Sequence, residues 1–159
     1  MLSSLSGISL FEGLSPRQID LLRPLFNNFN CPPNTIIFKQ GDRADYLYLI
    51  TEGHALIQFK PYDGPPINLA RLKPGDAFGW SAVVGNAAYS SGILSTSPLQ
   101  ALQIRGADFA RLCREHPTTG TILLNRLARD VSGRWKDAQA QVQTMLKDGL
   151  HHSSGISGG

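Results

Sequence analysis

Lys39-Gln40-Gly41-Asp42-Arg43-Ala44-Asp45-Tyr46-Leu47-Tyr48-Leu49-Ile50-Thr51-Glu52-Gly53 carries one apolar run between two turn signals. Tyr46 to Ile50 is too short for a helix and rich in aromatic and branched residues, so it reads as a strand. Gly41-Asp42 and Glu52-Gly53 bound it, because glycine tolerates positive φ and aspartate bonds turn amides through its own side chain. The same pattern repeats outward: Thr35 to Phe38, Ala55 to Phe59, Ile67 to Leu72, Gly92 to Thr96 and Leu99 to Ile104 are further strands. Pro32-Pro33-Asn34, Asp63-Gly64-Pro65-Pro66 and Pro74-Gly75-Asp76 separate them. Sixteen glycines and ten prolines in 159 residues supply turns in that number. Many short antiparallel strands predict a mainly β fold, a sandwich or jelly roll.

Helices are expected at both ends. Ser15 caps a helix running to Phe26, with Pro16 in its first turn and Ile19, Leu22, Leu25 and Phe26 on one face. Phe11 and Leu14 staple its entrance. After the last strand, Asp108 to Glu115 is helical, and a long helix follows from about Thr118 to Lys147. Leu124, Val131, Ala138 and Met145 recur every seven residues, and Leu127, Trp135 and Val142 fill the neighbouring positions. Some thirty helical residues extend about 45 Å, more than one small barrel covers. This stripe is therefore expected to form a homodimer interface. Arg126, Arg129, Arg134 and Lys136 are interrupted by Asp130 and Asp137, the pattern of a solvated face rather than a DNA contact.

Several function classes are disfavoured. His54, His116, His151 and His152 lack metal-ligand spacing, so no metal site is expected. Cys31 and Cys113 lie in no CxxC or Cys/His grouping, and no Ser/His/Asp arrangement points to a nucleophile, so the chain reads as non-catalytic with two free thiols. A formal charge of +3 without clustering does not call for nucleic acid. Met1 to Leu10 lacks the basic and apolar regions of a signal peptide, and no run of eighteen apolar residues occurs, so no membrane association and a cytoplasmic location are expected.

Leu10-Phe11-Glu12-Gly13-Leu14-Ser15, the stretch Lys39 to Gly53, and Arg71-Leu72-Lys73-Pro74-Gly75-Asp76-Ala77-Phe78-Gly79 together resemble the cyclic nucleotide-binding domain of CRP/Fnr regulators, cAMP-dependent kinases and cyclic-nucleotide-gated channels. The resemblance implies a β jelly roll (double-stranded β-helix) with a short N-terminal helix and a long C-terminal dimerisation helix. It divides the chain into a tail, 1–9, and a domain, 10–148, comprising the helical entry 10–29, the jelly roll 30–105 and the C-terminal helices 106–148. A flexible tail, 149–159, ends it.

The resemblance also implies a ligand cassette of Phe78, Gly79, Trp80, Ser81, Ala82, Tyr89, Ser90 and Ser91, with Arg134 and Trp135 of the long helix capping the ligand. In the family a Phe-Gly-Glu turn and a downstream Arg hold the ribose and cyclic phosphate. Here the Glu position is Trp80, as in a subset with a Gly-Trp-Ser cassette, and no Lys or Arg occurs between Lys73 and Arg105. Losing a bidentate Arg contact to a phosphate removes both charge and geometry, so strong cAMP or cGMP binding is not expected. A cyclic nucleotide or other small ligand remains the expected kind of cofactor, and two readings of Trp80 stand side by side: a changed ligand, less charged and more aromatic or apolar, stacked on the indole, or an indole and phenol that plug a vacated barrel.

The expected role is a dimeric sensor that signals to a protein partner. The alternatives are a ligand-free assembly scaffold and an effector-domain fragment of a CRP/Fnr-type transcription regulator. Eleven residues follow Asp148, too few for a helix-turn-helix domain, so direct DNA binding is not expected of these residues.

Overall fold

The computed structural model describes residues 9–61 and 64–129. Eight strands form two antiparallel four-stranded sheets: β1 (Asn27–Cys31), β2 (Ile36–Phe38), β3 (Tyr46–Glu52), β4 (Ala55–Phe59), β5 (Ile67–Leu72), β6 (Ala77–Phe78), β7 (Gly92–Ser95) and β8 (Leu99–Arg105). One sheet has the order β1-β8-β3-β6 and the other β2-β7-β4-β5. Helix α1 (Pro16–Leu22) precedes them and α2 (Gly106–Glu115) follows. A third helix, α3, begins at 117 and is described to 129.

The β3 run has a physical reason for being apolar at every position. Leu47 and Leu49 belong to a core cluster with the helices, while Tyr48 and Ile50 belong to a second cluster inside the jelly roll. β8 divides in the same way: Leu102 and Ile104 face the helices, Leu99 and Ala101 the jelly-roll interior. Because side chains alternate along a strand, a sheet covered on both faces needs apolar residues in both registers.

Most strands fall where the sequence places them, with ends moved by a residue or two. Two were not expected. β1 reads Asn-Asn-Phe-Asn-Cys, with three asparagines and Phe29 its one strong β-former, yet it pairs along its whole length with β8. β6 has two residues and is held by pairing to Tyr48 and Leu49. The first helix is shorter than expected: α1 stops at Leu22 and a 3-10 turn, Arg23–Leu25, replaces its last turn. Pro24 is the cause, since proline has no N–H to donate to the Asp20 carbonyl and continue the α-helical ladder.

The helical end is tied together by named bonds. Ser15 and Gln18 form a reciprocal capping box, and Gln18 Nε2 donates to Thr119 Oγ1 of α3 at 3.1 Å. Arg126, expected on a solvated face, instead donates through one nitrogen to the Leu10 carbonyl at 2.9 Å and the Glu12 carbonyl at 2.6 Å. It locks α3 to the N-terminal segment.

The expected dimer stripe is corrected at one position. Leu127 is fully enclosed (0% exposed) by its own protomer's helix-side core, so it has no surface to offer a second copy. The 3.6-residue helical period places Leu123 and Leu127 together on the inner face, and Leu124, 37% exposed, on the outer one. Val131, Trp135, Ala138, Val142 and Met145 lie outside the described residues.

Candidate functional site

The cassette starts where β6 leaves the sheet. Phe78 points into the jelly-roll cluster, and Gly79 turns the chain with φ +87°. A Cβ on Gly79 would lie 2.6 Å from the Tyr46 carbonyl oxygen, so glycine is required by both conformation and space. A 3-10 turn, Trp80–Ala82, follows, closed by Ala82 N–H to Gly79 carbonyl (3.1 Å) and Val83 N–H to Trp80 carbonyl (2.9 Å).

The structure separates Trp80 from the cassette's other two aromatic residues, Phe78 and Tyr89. The half-buried Trp80 packs against the helix-side cluster, whereas Tyr89 is buried in the jelly-roll cluster. The reading of Trp80 as a plug of the barrel interior is thereby corrected. The aromatic filling of the interior is Tyr89 stacked on Phe38 (centroids 3.5 Å apart, planes at 10°) beside Tyr48 stacked on Phe78 (4.8 Å, 8°). Phe38 joins the two pairs, with centroids 6.0 Å from Tyr48 and 5.9 Å from Phe78.

Tyr89 is also held at its hydroxyl. It donates to the Tyr46 carbonyl at 2.7 Å and accepts from the Tyr46 amide at 3.0 Å. One hydroxyl thus satisfies both backbone groups of a β3 residue that lies just beyond the pairing with β6. Burial pushes the Tyr89 phenol above its ordinary value, with the Tyr46 backbone bond acting in the opposite direction. The loop around it is stitched to the turn after β2: Ala44 N–H donates to the Ala87 carbonyl (3.0 Å), Tyr89 N–H to Asp42 (2.9 Å) and Gly41 N–H to Tyr89 (2.9 Å). Phe38 and Tyr46 are the site residues that sequence reasoning missed. Both sit in quoted strands, but their role depends on this cross-loop pairing, which sequence order does not display.

Ser81 and Ala82 are buried, Ser90 is exposed and Ser91 half-buried. The buried side of the turn rests on α2: Gly106, its first residue, lies so close to the Ala82 carbonyl that a side chain there would collide with it. Farther along, a Cβ on Gly120 of α3 would lie 2.7 Å from Cys113 Cα of α2. Two glycines therefore bring cassette, α2 and α3 into successive close contact. Arg134 and Trp135 lie outside the described residues.

Comparison with known proteins agrees with this fold. Residues 29–116 match the family model of the cyclic nucleotide-binding domain, and the chain belongs to that family. It is 30% identical over 125 residues to the cyclic AMP receptor protein of Thermus thermophilus, covering 79% of this chain and 58% of that one. The chain thus spans a little over half of this relative. It is 33% identical over 73 residues to the cAMP-dependent protein kinase regulatory subunit of Emericella nidulans, covering 42% of this chain and 18% of the subunit. Among solved structures, a putative cyclic nucleotide-binding protein from Geobacter metallireducens superimposes with a TM-score of 0.73 at 24% identity, covering 84% of this chain and 96% of that one. The Thermus thermophilus catabolite activator protein gives 0.69 at 28%, covering 86% and 62%. Among the described residues no helix is long and apolar enough to cross a membrane.

Proposed function

We propose that this domain is a non-catalytic, cytoplasmic sensor that takes a small ligand at the cassette, acts as a homodimer through α3 and its continuation, and passes its state to a protein partner. The observation that carries the reading is the direct contact of the Trp80–Ala82 turn with Gly106 and the helix-side core. A ligand that shifts this turn must also shift α2, because close-packed neighbours move together. The ligand is a nucleotide-like or other polar small molecule carrying less charge than the family's cyclic phosphate, since the loop supplies backbone amides and hydroxyls but no cation. The transcription regulators among its relatives are longer than the matched region. The same sensor could therefore signal to a separate protein or to a further domain of one chain, and the gene sequence on either side separates these cases.

A second reading, a ligand-free scaffold, is favoured by a specific observation: the Tyr89 ring lies against Phe38 in the interior and is bonded at its hydroxyl. A thermal-shift series with cAMP, cGMP and uncharged nucleosides decides between the two. Ligand at one hundred times its dissociation constant adds about 2.7 kcal/mol and raises Tm by a few degrees. Stabilisation by any of these compounds, abolished by a substitution at Ser81, supports the sensor. No shift with the native chain, and none with Tyr89→Ala, supports the scaffold.

A further inference from the structure

A second cleft lies apart from the cassette, where β2, β4 and β7 meet. Its volume is about 700 Å³, within the range of small-molecule sites. Ile36, Phe59, Pro61 and Pro66 supply its accessible apolar surface, over the buried Phe38 and Ile93. Ile36 is 56% exposed, the most exposed large apolar side chain among the described residues. A solvent-facing isoleucine beside phenylalanine and proline is an apolar surface that a ligand can cover.

The polar residues of the lining fall into two groups. The amides are already used: Gln40 accepts from the Lys60 N–H at 2.7 Å and donates to the Lys60 carbonyl at 3.2 Å, while Gln58 donates to Asn68 at 3.0 Å. The ionisable residues are Lys39 and Lys60 alone, and no aspartate or glutamate belongs to the lining among the described residues. Asp42, close in sequence, accepts from the Lys39 backbone amide at 2.8 Å and is not part of the lining. The Gln40 bridge fixes the backbone of Lys60 next to the turn carrying Lys39, so both cations are attached to held backbone at one cleft.

From this combination of an apolar surface, spent amides and two cations, we infer that the cleft binds a small amphiphilic anion: a single carboxylate on a short aliphatic body. The aliphatic part covers Ile36, Phe59 and Pro61, and the carboxylate lies between Lys39 and Lys60. This site is independent of the cassette reading. The cleft touches the cassette's surroundings through Phe38, whose ring stacks on Tyr89, and through Gly92, which follows Ser91.

The test is an amide NMR titration of the nitrogen-labelled protein with octanoate, octanol and acetate. Octanoate should give saturable shifts centred on Ile36, Lys39, Lys60 and Gly92, with a dissociation constant of about 1 mM, as expected for ten non-hydrogen atoms. Octanol should bind about fivefold more weakly because it lacks the charge, and acetate should not saturate. Replacing both cations together, Lys39→Gln with Lys60→Gln, should weaken octanoate about fivefold while leaving the spectrum folded, since both side chains are on the surface. Four results overturn the inference: no saturable shift, shifts centred on residues 79–91, equal affinity for octanol and octanoate, or equal affinity of native and doubly substituted protein.

Discussion

The two faces of the sheet containing β3 are built from different materials. The helix-side cluster is mainly aliphatic, with Leu10, Ile19, Leu22, Leu47, Leu49, Leu112, Leu123 and Leu127 around a few rings. The jelly-roll cluster gathers Phe38, Tyr48, Phe78 and Tyr89 into stacked pairs and carries the bonded phenol of Tyr89. Aliphatic side chains fill space without directional demands, whereas stacked rings and a two-way hydroxyl bond prescribe one geometry. The interior is thereby held by its rings and one hydroxyl, and the helix side by shape and by the side-chain bonds of Gln18 and Arg126. The cassette crosses between them, with Phe78 on one side and Trp80 on the other.

The strongest way to break this division is at the crossing itself. Gly79→Ala imposes a positive φ on a side chain and drives Cβ into the Tyr46 carbonyl. Together these should cost about 4 kcal/mol, read from urea denaturation midpoints. A loss below about 1 kcal/mol would mean that the cassette is not braced against β3.

The next test separates the inner from the outer face of α3. Leu127→Ala should cost about 3 kcal/mol through its buried cavity, independent of protein concentration. Leu124→Ala should cost under about 0.5 kcal/mol in the monomer and, for the homodimer proposed above, show its effect in the dissociation measured by sedimentation. Equal stability losses would contradict the assignment of Leu127 to the protomer's own core.

A further test sharpens the picture of the interior. Tyr89→Phe keeps the ring on Phe38 but leaves the Tyr46 amide and carbonyl without their partner, a cost of about 1–2 kcal/mol. The phenol's folded pKa lies above its ordinary 10.0, so the folded state holds the proton longer than the unfolded one. This contribution is complete below pH 10 and is lost as pH rises through the folded value. Native protein should therefore lose stability above about pH 10, and Tyr89→Phe should reduce that loss. Tyr48, also raised by burial, should retain its share. An unchanged pH profile would place the hydroxyl in water.

Much of this protein was legible because local chemistry and tertiary demand agreed. The apolar β3 run, the Gly-Asp turns and the Ser15 cap each determine their structure through neighbours a few residues away. β1 was invisible because its asparagines argue against a strand, and the backbone of β8 decides the matter. The cassette's lack of a cation was likewise readable from the order of residues alone. The tertiary structure alone decided that Trp80 faces the helices while Tyr89 faces the barrel, that Leu127 is enclosed, and that Arg126 binds carbonyls near residue 10. Each of those outcomes depends on which distant surface a side chain meets, and a periodic pattern shows that a face is apolar without showing what covers it.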